Sequence, residues 1–191
     1  MKASVIFAAL TLLSGTGAAV AENLGEFRLG PRGGPGEIRI QPGTLIGDQP
    51  TDRLISENSF GLGATLEYRA PFGLIVEAGL FGTGTTDWFG EKDYTFSEYF
   101  GSVGYEIPLG HGFTVTPRVG RTRWKLEADN NWFFDRSDDA DNPKTRGYEN
   151  YWEVSAMKRI NEHFALGVSY KENDYDFGRI RSTVFTAMWT L

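Results

Sequence analysis

From Phe60 the chain reads FGLGATLEYRA, and its side chains sort onto two faces without a slip. Phe60, Leu62, Ala64, Leu66, Tyr68 and Ala70 share one face; Gly61, Gly63, Thr65, Glu67 and Arg69 share the other. A period of two marks a strand whose faces meet different surroundings. The alternation recurs along the chain. Leu74, Val76, Ala78 and Leu80 oppose Ile75, Glu77, Gly79 and Phe81, which gives a mixed second face. Tyr99, Val103, Tyr105, Ile107 and Leu109 oppose Glu98, Ser102, Gly104 and Glu106. Phe113, Val115, Pro117 and Val119 oppose Thr114, Thr116, Arg118 and Gly120; Trp152, Val154 and Ala156 oppose Glu153, Ser155 and Met157. Phe164, Leu166, Val168 and Tyr170 oppose Ala165, Gly167, Ser169 and Lys171. A short first strand over residues 24–29 and a last one from Ser182 bring the number to eight, and no helical period of comparable length competes.

Connection lengths alternate. Long Gly-, Pro- or Asp-rich stretches cover residues 31–59, 83–93 and 129–147, with a shorter one over 173–181; tight turns fall at 70–73, 109–112 and 161–163. Up-and-down strands with long loops at one end and short turns at the other predict an all-β, eight-stranded antiparallel transmembrane β-barrel. A soluble eight-stranded barrel has the same period, so the size of the faces decides. The polar face carries Gly61, Gly63, Gly79, Gly104, Gly120, Gly167, Ser102, Ser155 and Ser169, which suit a lumen only wide enough for side chains. The bulky apolar face then meets lipid. Trp88, Phe89, Tyr94, Tyr148 and Trp152 near the long loops, and Tyr68, Tyr105 and Trp189 toward the other end, predict two aromatic girdles. Pro117 falls mid-strand, where a bulge or a shifted register is expected.

The amino terminus predicts export. Lys2, the apolar run from Val5 to Val20 and Ala19-Val20-Ala21 have the form of a signal peptide over residues 1–21, leaving residues 22–191 as the barrel domain. Only the Lys2 charge leaves with that segment, so the formal charge of −6 becomes −7. With no basic stripe, nucleic acid is not an expected partner. The chain has no cysteine, so neither disulfides nor thiol chemistry contributes.

The signal peptide, the strand over residues 60–70, the YEIPLGHGFTVTPRVG hairpin over 105–120 and the ending FTAMWTL resemble the small eight-stranded outer-membrane β-barrels, the OmpA-type transmembrane domain family. The resemblance implies an outer-membrane location, an ionic barrel interior, and a final strand read by the outer-membrane assembly machinery through Phe185, Ala187, Trp189 and Leu191. Leu191 stands where the family usually ends in Phe. The cell-wall anchoring of full-length members is not carried over.

Strand parity turns Glu26, Arg28, Glu67, Arg69, Glu77, Glu98, Glu106, Arg118, Glu153, Arg159 and Lys171 toward the barrel axis, and unpaired charge in so narrow a space is costly. Paired networks filling the lumen are therefore expected; the alternative is a gate that passes ions or small solutes. Arg121, Arg123 and Lys125, at the outer end of the fifth strand, have the chemistry to bind lipopolysaccharide phosphates. A lipid-modifying enzyme would need a nucleophile and a base near the outer loops, but His111 and His163 both lie in short turns at the other end. Asp129, Asp135, Asp138, Asp139 and Asp141 lack a calcium-loop spacing, and Trp132, Phe133 and Phe134 mark the same loop as a contact surface. The expectation is a non-enzymatic barrel without cofactor, catalytic residue or metal, contributing to membrane integrity or surface interaction. Its expected partners are outer-membrane lipid, lipopolysaccharide and the assembly machinery; the sequence specifies no oligomeric state.

Overall fold

The computed structural model describes residues 25–46, 49–85, 93–129 and 144–191. Eight strands run in chain order: β1 (Glu26–Ile40), β2 (Ile55–Arg69), β3 (Leu74–Thr85), β4 (Asp93–Tyr105, resumed as Ile107–Gly110), β5 (Phe113–Asp129), β6 (Lys144–Arg159), β7 (Phe164–Tyr175) and β8 (Gly178–Thr190). Each pairs antiparallel with its sequence neighbours, and β1 pairs with β8 to close the barrel. Closure leaves no sheet edge within an apolar solvent, where each main-chain polar group must be bonded internally.

The large apolar side chains face outward. On β2 the outer row is Tyr68, Leu66, Ala64, Leu62 and Phe60, with Leu62 62% exposed and Phe60 55%. Equivalent rows end at Tyr99, Val119, Trp152, Tyr170 and Phe185 on β4 to β8, and polar residues follow them. Aromatic contacts mark both borders of this band: Phe27 with Tyr68 and Phe164 with Trp189 near the short turns, each with centroids 5.0 Å apart, and Trp152 with Tyr170 at 5.7 Å toward the long loops. Tyr94 is a correction, since it points inward and is buried; Trp88 and Phe89 lie outside the described residues.

Two strand limits also differ from the sequence reading. β1 does not stop at Leu29 but continues through GPRGGPG to Ile40, so the first long connection is residues 41–54. Glycine and proline suggested a loop there, yet Arg28, Gly30, Arg32, Gly34, Gly36, Ile38 and Ile40 keep one inward parity. Pro31 and Pro35 lack an N–H, and the β1–β8 ladder lapses at both while its register holds, from Leu29↔Trp189 to Arg32↔Thr186 and from Gly33↔Phe185 to Gly36↔Ser182. The fourth connection is also shorter than the sequence suggests. β7 and β8 extend to Tyr175 and Gly178, leaving only Asp176 and Phe177 between them, with Phe177 tucked inward at 2% exposure.

Inward glycines make room for large neighbours. A Cβ on Gly61 would lie 2.4 Å from the Phe81 ring, one on Gly79 2.5 Å from Phe100, and one on Gly120 2.6 Å from Tyr151. In each case the ring comes from the adjacent strand and crosses over the glycine. The periplasmic-type turn at Gly110, His111 and Gly112 uses positive φ at all three, with His111 at 53°.

Pro117 neither bulges the strand nor shifts it. Its carbonyl points at β4, 2.6 Å from where a Cβ on Gly104 would stand, so its missing N–H faces the Tyr105 carbonyl. The β4–β5 ladder accordingly lapses between Gly104↔Arg118 and Ile107↔Val115 on an unchanged register. Restoring the donor by Pro117→Ala is expected to stabilise the barrel by about 1 kcal/mol. A urea titration of the lipid-reconstituted protein checks this: the midpoint should rise, and a fall would place the proline in a structural role.

Candidate functional site

The lumen is layered. Nearest the short turns, Arg159 and Arg28 each reach Glu26 at 3.1 Å, and Arg69 meets Glu106 at 2.6 Å. One level up, Arg28 bridges Glu67 at 3.1 Å and Glu106 at 3.0 Å, while Arg118 bonds Glu67 at 2.5 Å. Above that, Arg32 holds Glu77 at 3.2 Å and Glu153 at 2.9 Å; Arg118 lies 3.5 Å from both carboxylates. Thr65 and Ser102 donate to Glu77 at 2.6 and 2.9 Å, and Arg118 donates to Ser155 at 2.7 Å. At the top of the ionic region Lys171 contacts Glu98, which also accepts from Thr122 at 2.9 Å.

The eleven lumen charges named from the sequence line this interior, with Arg69 and Arg159 at its more open lower end. The sequence reading missed Arg32. Glycine and proline on either side suggest a loop there, yet Arg32 is only 4% exposed and touches two carboxylates and two rings, with its guanidinium carbon 5.0 Å from the Phe100 centroid and 5.8 Å from that of Phe81. With Arg32 included, Glu26, Glu67, Glu77, Glu98, Glu106 and Glu153 face Arg28, Arg32, Arg69, Arg118, Arg159 and Lys171, six against six. Full pairing is what low-dielectric burial demands of ionised groups.

Above the charges the interior becomes apolar. Phe81, Phe100, Tyr151 and Val184 form a first layer, and Lys171 Nζ sits 4.2 Å from the Tyr151 centroid. A second cluster joins Ile38, Ile40, Tyr94, Phe96, Trp124, Leu126, Tyr175, Phe177 and Ile180 across the mouth. Ile46, from the small hairpin of Leu45–Ile46 with Gln49–Pro50, enters this cluster at 3% exposure. Thr44 Oγ1 and the Gln41 N–H both donate to the Phe177 carbonyl, at 3.1 and 2.9 Å, and tie the first loop to the β7–β8 turn. The void between the ionic layer and this cap measures about 10 Å³, near the space one water needs.

Outside the mouth, Arg121 and Arg123 are exposed on the outer face of β5 just beyond Val119, and Arg121 lies 5.5 Å from the Tyr148 ring centroid. Lys125 is half-buried and contacts Glu127. His111 and His163 are exposed in the short turns. Phe185, Trp189 and Leu191 project outward from the closing strand and its end, with Ala187 half-buried between them. Asp129 ends β5; Asp135, Asp138, Asp139, Asp141 and the Trp132–Phe133–Phe134 triplet lie outside the described residues. Among the described residues no group of three acidic or histidine side chains is placed to hold a metal ion.

Comparison with known proteins places this geometry. Residues 5–190 match the family described as outer membrane protein beta-barrel domain. No curated protein matches the chain by sequence. Neisserial surface protein A superposes with a TM-score of 0.60 at 10% identity, covering 87% of this chain and 96% of its own. Ail, the attachment invasion locus protein of Yersinia pestis, gives 0.55 at 12% identity, covering 87% and 99%. The outer membrane protein OprG of Pseudomonas aeruginosa gives 0.53 at 12%, covering 88% and 97%. At such identities the shared property is the fold. The family match and the closed eight-stranded architecture together establish that the chain belongs to the outer-membrane protein β-barrel domain family and resides in the cell outer membrane.

Proposed function

We propose that this barrel is a non-enzymatic, closed-lumen protein whose working surface is its extracellular rim, and that it serves membrane integrity and surface interaction. The observation that carries the reading is the double filling of the lumen. Six buried or half-buried carboxylates meet six cations along the axis, and an aromatic and aliphatic cap lies over them. A hydrated ion would have to part Arg32 from Glu153 and Lys171 from Glu98, then cross the apolar cap, and each separation strands a charge in a low-dielectric space. The family's surface-protein relatives favour a role at the rim. Both histidines stand at the far end of the barrel, which favours a non-enzymatic role.

At the rim, Arg121, Arg123 and Lys125 are assigned to the phosphates of lipopolysaccharide. They begin where the outward apolar row of β5 ends at Val119, the height at which lipid headgroups start. Residues 1–21 are assigned to export. The outward row Phe185, Ala187, Trp189 and Leu191 on the closing strand is assigned to recognition by the assembly machinery.

Planar-bilayer recording of the purified barrel is expected to give no sustained openings; stable, large openings would overturn the closed-lumen reading. Arg32→Ala leaves Arg118 as the remaining cationic partner of Glu77 and Glu153. It is expected to cost roughly 3–5 kcal/mol of unfolding free energy and to introduce brief openings. Replacing Arg121, Arg123 and Lys125 together by Ala should lower the lipopolysaccharide retained on purification about tenfold, two or three charge-assisted contacts being lost, without altering heat-modifiable gel mobility. Unchanged retention would remove the lipopolysaccharide assignment.

A further inference from the structure

β6 is longer than the wall it belongs to. Against β5 it pairs all the way out to Lys144↔Glu127, but against β7 its last pair is Trp152↔Glu172. Trp152 ends the outward apolar row of β6 and Tyr170 that of β7. The β6–β7 seam is therefore paired wherever the barrel meets hydrocarbon and opens at the membrane surface, where main-chain groups no longer require an internal partner. Above it, β6 has no strand partner on this side among the described residues.

Its free groups can be identified. The Ala156 carbonyl lies 3.0 Å from where a Cβ on Gly167 would stand, so even-numbered residues of β6 aim their main-chain N–H and C=O at the β7 side, and odd-numbered ones at β5. Beyond the seam the even residues are Asn150, Tyr148, Arg146 and Lys144. The Asn150 N–H turns back to Glu149 Oε1 at 3.1 Å. Those of Tyr148, Arg146 and Lys144 have no main-chain acceptor among the described residues.

The side chains of these residues are exposed on the outer face. In register beside them on β5 stand Arg123 opposite Tyr148 and Lys125 opposite Arg146, with Arg121 one step below. Lys125 is neutralised by Glu127, but Arg121, Arg123, Lys144 and Arg146 form no ion pair among the described residues. Elsewhere on the rim the charges compensate: Arg179 meets Glu172 and Asp174, Arg181 meets Glu172, and Arg39 meets Glu37. This open stretch of β6 thus coincides with cations that have no ion-pair partner among the described residues.

We infer that the extracellular edge of β6 from Asn150 to Lys144 is a strand-addition site for an extended acidic segment of a partner protein. Main-chain bonds would come from Lys144, Arg146 and Tyr148, and carboxylates at alternate positions of the incoming strand would face Arg146 and Lys144. The same cations disfavour a second copy, which would bring like charges to this edge. The inference rests on the surface-contact reading above and supplies the partner's chemistry.

The probe is an eight-residue peptide alternating threonine and glutamate, added to the barrel in lipopolysaccharide-free phospholipid nanodiscs, with a threonine–lysine peptide as control. Hydrogen exchange of the free protein should show the Lys144, Arg146 and Tyr148 amides open and those of Thr145, Gly147 and Glu149 protected. The acidic peptide should slow the first set about tenfold or more, and the basic peptide should not. Tyr148→Pro removes an edge donor that faces away from β5, and Arg146→Glu reverses the charge. Each is expected to weaken peptide binding by about tenfold while leaving gel mobility intact.

Binding lost in Arg146→Glu but unchanged in Tyr148→Pro would mean charge attraction without strand pairing and would overturn the inference. So would even-numbered amides already protected before peptide is added: concentration-dependent protection would indicate a second copy, and concentration-independent protection a segment of the same chain. Absence of binding to a barrel that is closed in the bilayer recording sinks this inference alone, whereas a conducting barrel sinks the reading beneath it.

Discussion

Charge neutrality inside a closed wall is the constraint on which the rest of this molecule depends. Eight strands enclose a space that side chains fill, and once carboxylates occupy it each must have a cation within hydrogen-bonding distance. Arg118 and Arg32 carry most of that duty at mid-height, each spanning two or more carboxylates supplied by different strands. The network therefore ties β1, β2, β3, β5 and β6 together across the axis. The ladders alone fix only neighbours around the circumference; the ion pairs fix opposite walls.

The transition from charge to aromatic packing along the axis follows from the same constraint. Lys171 lies at the boundary, contacting Glu98 on one side and resting near the Tyr151 and Phe100 rings on the other. Beyond it the clustered side chains of the cap are aromatic and aliphatic. Tyr175 spans the boundary in the opposite sense, with its ring among Phe96, Trp124 and Phe177 and its hydroxyl 2.5 Å from Asn173 Nδ2. Thus the upper mouth is closed by ordinary apolar burial, to which the first loop contributes Ile46.

Strands with a clean two-residue period were legible from composition alone, because lipid on one side and a crowded axis on the other impose different chemistry on alternate positions. β2, β4 and β7 are of this kind. What escaped was the part of each strand that rises above the membrane. There the outer face is polar and the inner face apolar, so the polarity of the pattern inverts: Ile38, Ile40, Phe96, Trp124 and Leu126 point inward while Glu37, Arg39, Ser97, Arg123 and Lys125 point outward. A reader looking for greasy residues outside sees the strand end where it merely crosses the headgroups. Arg32 was hidden differently, by glycine and proline on either side. A trace of it was present in the lumen inventory, where six glutamates stood against five cations. The LPS-facing and assembly assignments had no such internal check, since they concern surfaces that other molecules complete.

The pairing of Gly61 with Phe81, Gly79 with Phe100 and Gly120 with Tyr151 has a consequence for how such a sequence can drift. Volume on one strand is borrowed from its neighbour, so enlarging the small member alone produces collision and shrinking the large one alone produces a hole. Exchange of the two sizes across the ladder leaves the total occupied space unchanged. Descendants of a common ancestor can therefore preserve the barrel while few individual positions keep their identity, provided that substitutions arrive in compensating couples.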